Sequence, residues 1–131
     1  MDLIIGSHVS YKNNMGLLGS VKEAISYGAN TFMFYTGAPQ NTMRGEINDK
    51  LTSEALELMK ENNMDISKVI VHAPYIVNLA NMNNFDFSVS FLRKEVERCN
   101  VLGMKYLVLH PGSAVNCSRE EAINNISDGL N

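Results

Sequence analysis

Residues Lys68–Leu79 read KVIVHAPYIVNL, and Tyr106–Ser113 read YLVLHPGS. In each, a mostly apolar run ends on a histidine, His72 or His110, with a proline close behind. Apolar residues on consecutive rather than alternate positions are the pattern of a parallel strand covered on both faces. Pro74 and Pro111 have no N–H to donate, so the ladder stops there and a loop begins.

The same kind of run recurs along the chain. Leu3–Val9, Thr31–Thr36, Lys68–His72 and Tyr106–His110 read as strands, and three of the four are apolar on consecutive residues. Helical spacing fills the gaps. Leu17/Leu18, Val21 and Ala24/Ile25 form one stripe, with Gly28 as its stop. Leu51, Ala55 and Leu58/Met59 form a second, and Val89, Leu92, Val96 and Cys99 a third that ends before Gly103. A capping box, Ser118-Arg-Glu-Glu121, opens a fourth helix whose apolar face is Ala122/Ile123, Ile126 and Leu130.

The order is (βα)4, in one α/β domain covering 1–131. Successive strand ends, near His8, Thr36, His72 and His110, lie 28 to 38 residues apart, a βα period. Such units build either a doubly wound open sheet or a (β/α)8 barrel, of which four units are half. A lone half leaves two sheet edges open, which invites association. The short final helix leads us to expect a truncated chain or a partner that completes it.

Composition sets broad limits. The chain has 131 residues, 45% of them hydrophobic and 19% charged, with a net charge of -3. That balance offers no basic surface for nucleic acid, so a polyanion would have to be held locally, with metal ions supplying positive charge. Cys99 and Cys117 form no CxxC pair, no apolar run suits a signal peptide, and no stretch could span a bilayer. A cytoplasmic protein is the expectation.

All three histidines, His8, His72 and His110, fall at or near the carboxyl end of an expected strand, the edge where parallel α/β folds place their chemistry. Imidazole on a short stem suits zinc, and His72 and His110, in matching contexts on consecutive strands, are the best pair of ligands. No Asp or Glu ends any of the four strands, so a third ligand and an acidic general base are both missing. The polar loop GAPQNTMRGE, Gly37–Glu46, follows the second strand at the same edge. In it Arg44 could pair with a phosphate, and Gln40 or Asn41 could hydrogen-bond a base or sugar. Tyr75, three residues beyond His72, offers a flat face for stacking. There is no phosphate-binding glycine motif and no nucleophile elbow.

Taken together, GSHVS (Gly6–Ser10), FMFYTGAPQNT (Phe32–Thr42), VHAPYIVNL (Val71–Leu79) and VLHPGS (Val108–Ser113) resemble the endonuclease IV family, the zinc-dependent apurinic/apyrimidinic endonucleases. The resemblance runs in order along essentially the whole chain. It implies the amino-terminal (βα)4 half of a TIM (β/α)8 barrel of the xylose-isomerase-like superfamily. Its intact members carry three zinc ions and cleave DNA 5′ to an abasic site. By motif, His72 and His110 resemble two ligands of one zinc, and His8 a histidine near the site that binds no metal. Tyr75 resembles a residue packed against DNA around the flipped-out nucleotide, and the loop of Gln40, Asn41 and Arg44 resembles one that enters the duplex. Family members are about twice as long, and their remaining ligands lie on the later strands. At most one partial zinc site is expected here, and the isolated chain is expected to be inactive. Two alternatives stay open: a non-catalytic half-barrel that self-associates as a homodimer, and a fragment of a sugar-phosphate isomerase or epimerase barrel.

Overall fold

The computed structural model describes residues 3–131. Four strands, β1 (Gly6–His8), β2 (Thr31–Phe34), β3 (Ile70–His72) and β4 (Tyr106–Val108), pair in parallel in the order β1-β2-β3-β4. Helices α1 (Gly16–Ser26), α2 (Asp49–Glu61), α3 (Phe85–Leu102) and α4 (Arg119–Leu130) follow them in turn. This is the expected (βα)4 half-barrel arrangement. Among the described residues, no helix is long and apolar enough to cross a membrane.

Local chemistry sets the boundaries. The side chain of Asn48 accepts the Leu51 N–H at 2.9 Å and starts α2, a cap the apolar stripe alone did not reveal. The capping box of α4 forms in both directions: Glu121 N–H donates to Ser118 Oγ at 3.1 Å, and Ser118 N–H donates to Glu121 Oε2 at 2.8 Å. β1 is shorter than the expected Leu3–Val9. Asn30 takes the place of a ladder there, its Oδ1 accepting the Ile5 N–H at 2.7 Å and its Nδ2 donating to Leu3 O at 2.9 Å.

The sheet has two unlike faces. Residues level with one another in a parallel pair point the same way. Phe32, Phe34, Val69 and Val71 are buried in one core with Leu17, Val21 and Ala24 of α1, Ala55 and Met59 of α2, and Cys99 and Leu102 of α3. The opposite face carries Thr31, Met33, Ile70, Tyr106 and Val108, of which Tyr106 is 58% and Val108 41% exposed. The consecutive apolar pattern pointed to cover on both sides, but only the helix side has cover among the described residues.

Two helical stripes also need correction. Val96, expected to face in, is 52% exposed, while Glu95 beside it is fully buried. Along α3 the inward positions are Ser88, Phe91, Leu92, Glu95, Cys99 and Leu102, so a carboxylate occupies a place the apolar pattern gave to its neighbour. On α4, Ala122 is buried, whereas Ile123 and Leu130 are more than half exposed.

Candidate metal centre

A row of four rings runs along the carboxyl edge of the sheet, one from each strand end. His8 and Tyr35 have ring centres 4.8 Å apart, Tyr35 and His72 5.0 Å, and His72 and His110 5.1 Å. These steps are close to the spacing of hydrogen-bonded strands, about 4.7–4.9 Å. The backbone sets the row, and its register carries further information. Met33 pairs with His8, yet the ring beside His8 belongs to Tyr35, two residues on. Phe34 pairs with Val71, which leaves Tyr35 level with His72. Val108 pairs with His72, and the ring beside His72 again belongs to a residue two further on, His110. The row climbs by two, none and two. Continued around eight strands, that alternation gives the stagger of about eight that closes a (β/α)8 barrel.

Of the candidate ligands, His72 is the best placed. Only 9% of it is exposed, and its Nδ1 lies 2.6 Å from the carbonyl oxygen of Ala73. A carbonyl can only accept, so Nδ1 carries the proton and Nε2 keeps its lone pair, the arrangement of a metal-binding imidazole. Two imidazoles gripping one tetrahedral zinc at ~2.0–2.1 Å would hold their ring centres about 5 Å apart. The His72–His110 separation of 5.1 Å fits that requirement. A third ligand is missing, since no three His, Cys, Asp or Glu side chains gather at one point among the described residues. Glu23 is turned to Ser10, accepting its hydroxyl at 2.5 Å and its N–H at 3.0 Å, and Glu95 is bound to Arg44 on the helix side of the sheet. The pair therefore fits part of a zinc site.

His8, at the other end of the row, binds protons less readily than a free imidazole, first because of burial and then because of His72, with Glu23 pulling the other way. It is therefore mainly neutral at neutral pH. Beside it a hollow of about 420 Å³ is lined by His8, Ser10, Tyr11, Tyr35 and Gly37–Pro39. A larger one, about 530 Å³, lies along α3 and contains no member of the ring row.

The loops after β3 and β4 hold His72 and His110 to each other. Asn78 Oδ1 accepts the N–H groups of Ala80 at 3.0 Å and Ser113 at 3.1 Å, and its Nδ2 donates to Ser113 O at 3.1 Å. Leu79 N–H donates to Pro111 O at 3.0 Å. Gly112, next to this junction, has φ 141°, a conformation that disfavours other residues, and a Cβ there would overlap Asn78 Oδ1.

The residues expected to meet DNA divide into two groups. Tyr75 is 57% exposed, with Ile76 beside it 39% exposed, and Gln40 stands in solvent on the Gly37–Glu46 loop. Asn41 is partly committed, its Oδ1 accepting the Met43 N–H at 3.0 Å in a local turn. Arg44 does not stand ready for a phosphate. Its side chain is only 8% exposed, and its Nε donates to Glu95 Oε1 at 2.6 Å. The sequence reading missed Tyr35 and Glu95. Tyr35 left one clue, an aromatic ring with a polar tip immediately after an apolar strand.

Comparison with known proteins agrees with this fold. The model of the xylose isomerase-like TIM barrel family matches residues 21–131. A protein described as probable endonuclease 4 from Acholeplasma laidlawii is 55% identical over 131 residues, covering 98% of this chain and 45% of its own length. Its Bacillus subtilis counterpart is 50% identical over 132 residues, with 98% and 44% covered. Among solved structures, endonuclease IV from Thermus thermophilus superimposes with a TM-score of 0.74 at 25% identity, over 96% of this chain and 46% of that one. A D-allulose 3-epimerase from Methylomonas sp. reaches a TM-score of 0.51 at 15% identity over 98% of this chain and 48% of that one, a likeness of fold alone. The chain spans less than half the length of the curated relatives it matches. By its family match the chain belongs to the xylose isomerase-like TIM barrel family, and it corresponds to the amino-terminal part of endonuclease IV.

Proposed function

We propose that this chain supplies one half of a zinc-dependent nuclease site that acts on abasic DNA and is inactive by itself. The observation that carries this reading is the His72–His110 pair, with ring centres 5.1 Å apart and the Nε2 of His72 left free. Zinc bound there would attract a phosphate oxygen and make a water molecule more acidic. The chain's own part is to aim. Ala73 O fixes the His72 tautomer, and the Asn78–Ser113 link keeps the His110 loop against the His72 loop. Tyr75 presents a face for stacking on an unpaired base or sugar, and Gln40 and Asn41 offer amide groups to the backbone. His8 stands at the far end of the row, separated from the pair by Tyr35. The free cysteines suit a cytoplasmic setting.

A zinc titration followed by calorimetry tests the metal reading. We expect one weak equivalent, lost in His72→Ala and in His110→Ala and retained in His8→Ala. Zinc uptake unchanged in both ligand variants would refute it.

For the 131-residue chain on its own, the open inner face with Tyr106 and Val108 favours association with a second copy. Two copies related by a twofold axis along the strands would each contribute four strands and the same stagger. Light scattering should then give twice the mass of 14.6 kDa, and a monomer at micromolar concentration would exclude this arrangement.

A further inference from the structure

The loop that carries Gln40 and Asn41 is fastened at its base by charged side chains that play no part in the ring row. Thr36, fully buried two residues past β2, donates its hydroxyl to Glu95 Oε2 at 2.9 Å. Arg98, one helical turn beyond Glu95 on α3, grips both ends of the loop. Its Nη2 donates to Thr36 O at 2.9 Å, its Nε to Thr36 Oγ1 at 3.1 Å, and its Nη1 to Gly45 O at 2.7 Å. Arg44 then enters the loop from below. While its Nε holds Glu95, its Nη1 reaches the carbonyls of Met43 at 2.8 Å, Asn41 at 3.2 Å and Ala38 at 3.3 Å. Its Cζ lies 5.0 Å from the centre of the Phe91 ring. A Cβ on Gly37 would lie 2.8 Å from Arg44 Cδ and Nη1, so the absence of a side chain there leaves the guanidinium its path.

A loop needs none of this merely to connect β2 to α2. Burying the charges of Arg44 and Glu95 is unfavourable unless they are paired, and apolar residues of similar size would hold the layers at least as well. What such a network adds is a single conformation. We propose that Glu95 and Arg98 are positioning residues: Glu95 through Arg44, and Arg98 through its own bonds to Thr36 and Gly45, hold the Gly37–Glu46 loop in one shape, so that Gln40 and Asn41 are set at the carboxyl edge before nucleic acid arrives. Pre-setting the loop spares binding the entropy of ordering it. The functional side of this inference rests on the nuclease reading; the mechanical side does not.

Backbone order parameters from NMR relaxation on the 131-residue chain, with no DNA present, test it. In the unaltered chain the N–H vectors of residues 38–43 should be about as rigid as the helices, near 0.85. In Glu95→Gln they should fall below about 0.6 while α1 and α2 keep their values. Arg44→Lys keeps the charge and loses the planar fork that reaches three carbonyls, so it should loosen the loop in the same way. Ser118→Ala, which removes the cap of the distant α4, controls for general destabilisation and should leave the loop ordered. A loop that stays rigid in both Glu95→Gln and Arg44→Lys overturns the proposal, and so does loosening that spreads evenly through the chain or also appears in Ser118→Ala. Should Glu95→Gln not fold, Arg44→Lys decides alone. Because no nuclease measurement enters, failure here leaves the proposed activity untouched, and the reverse also holds.

Discussion

Glu95→Ala should lower the free energy of unfolding by about 3–5 kcal/mol, the range for breaking a buried ion pair from one side. In a chain of this size that corresponds to a fall in Tm of roughly 10–20 °C. The loss exceeds that of an ordinary surface substitution because it is compounded. The Arg44 guanidinium, 8% exposed, would keep its charge without its partner, and the Thr36 hydroxyl would lose its acceptor. The vacated volume beside Phe91 and Leu92 adds a cavity. Glu95→Gln keeps the shape and one acceptor oxygen, so about half that loss is expected. Denaturant titration of the three proteins measures both values. A loss below about 1 kcal/mol for Glu95→Ala would mean that Arg44 finds water in the variant, and the account of a buried pair would be wrong.

Abasic-site duplex incubated with the purified chain and zinc should remain uncut over hours, with a rate indistinguishable from buffer. The magnitude at stake is large, since enzymes of hydrolysis exceed the uncatalysed reaction by many orders of magnitude, at least about 10⁶. The geometry explains the expected silence. The imidazoles of His72 and His110 stand side by side at the carboxyl edge, and no third ligand gathers with them among the described residues. An incomplete site neither holds zinc tightly nor sets a water molecule in line with the phosphorus. The assay is a denaturing gel of end-labelled duplex. A cut beside the abasic site that tracks the 131-residue protein through every column, and that disappears in His72→Ala, would show that the half-site suffices.

Much of the fold could be read from residue order because short-range chemistry sets it. Consecutive apolar runs made strands, the Ser118–Glu121 box formed as written, and Gly28 and Gly103 ended their helices. His72 and His110 were legible as neighbours because they stand in matching contexts on consecutive strands; the register places His110 two residues past the partner of His72, and the rings still lie 5.1 Å apart. What escaped was set by contacts distant in sequence. Glu95 looks like a solvent-facing residue because glutamate on a helix commonly is; only Arg44, 51 residues away, and Thr36, 59 away, explain its burial. For the same reason Arg44 looked like a hand held out to phosphate. Tyr35 was absorbed into an apolar run, and only its place level with His72 shows that it belongs to the ring row.

The climb of two, none and two along the carboxyl edge also works as a key cut into the open side of the sheet. Whatever docks beside β4 must continue with strands whose rungs line up at the matching height. An incoming strand that slipped by a single residue would turn its core side chains toward the helices and its helix-facing ones toward the axis. Halves taken from other barrels of the same general shape are thus sorted by notch before any side chain is compared. A chimera built on this chain should be planned by counting rungs first and fitting surfaces second.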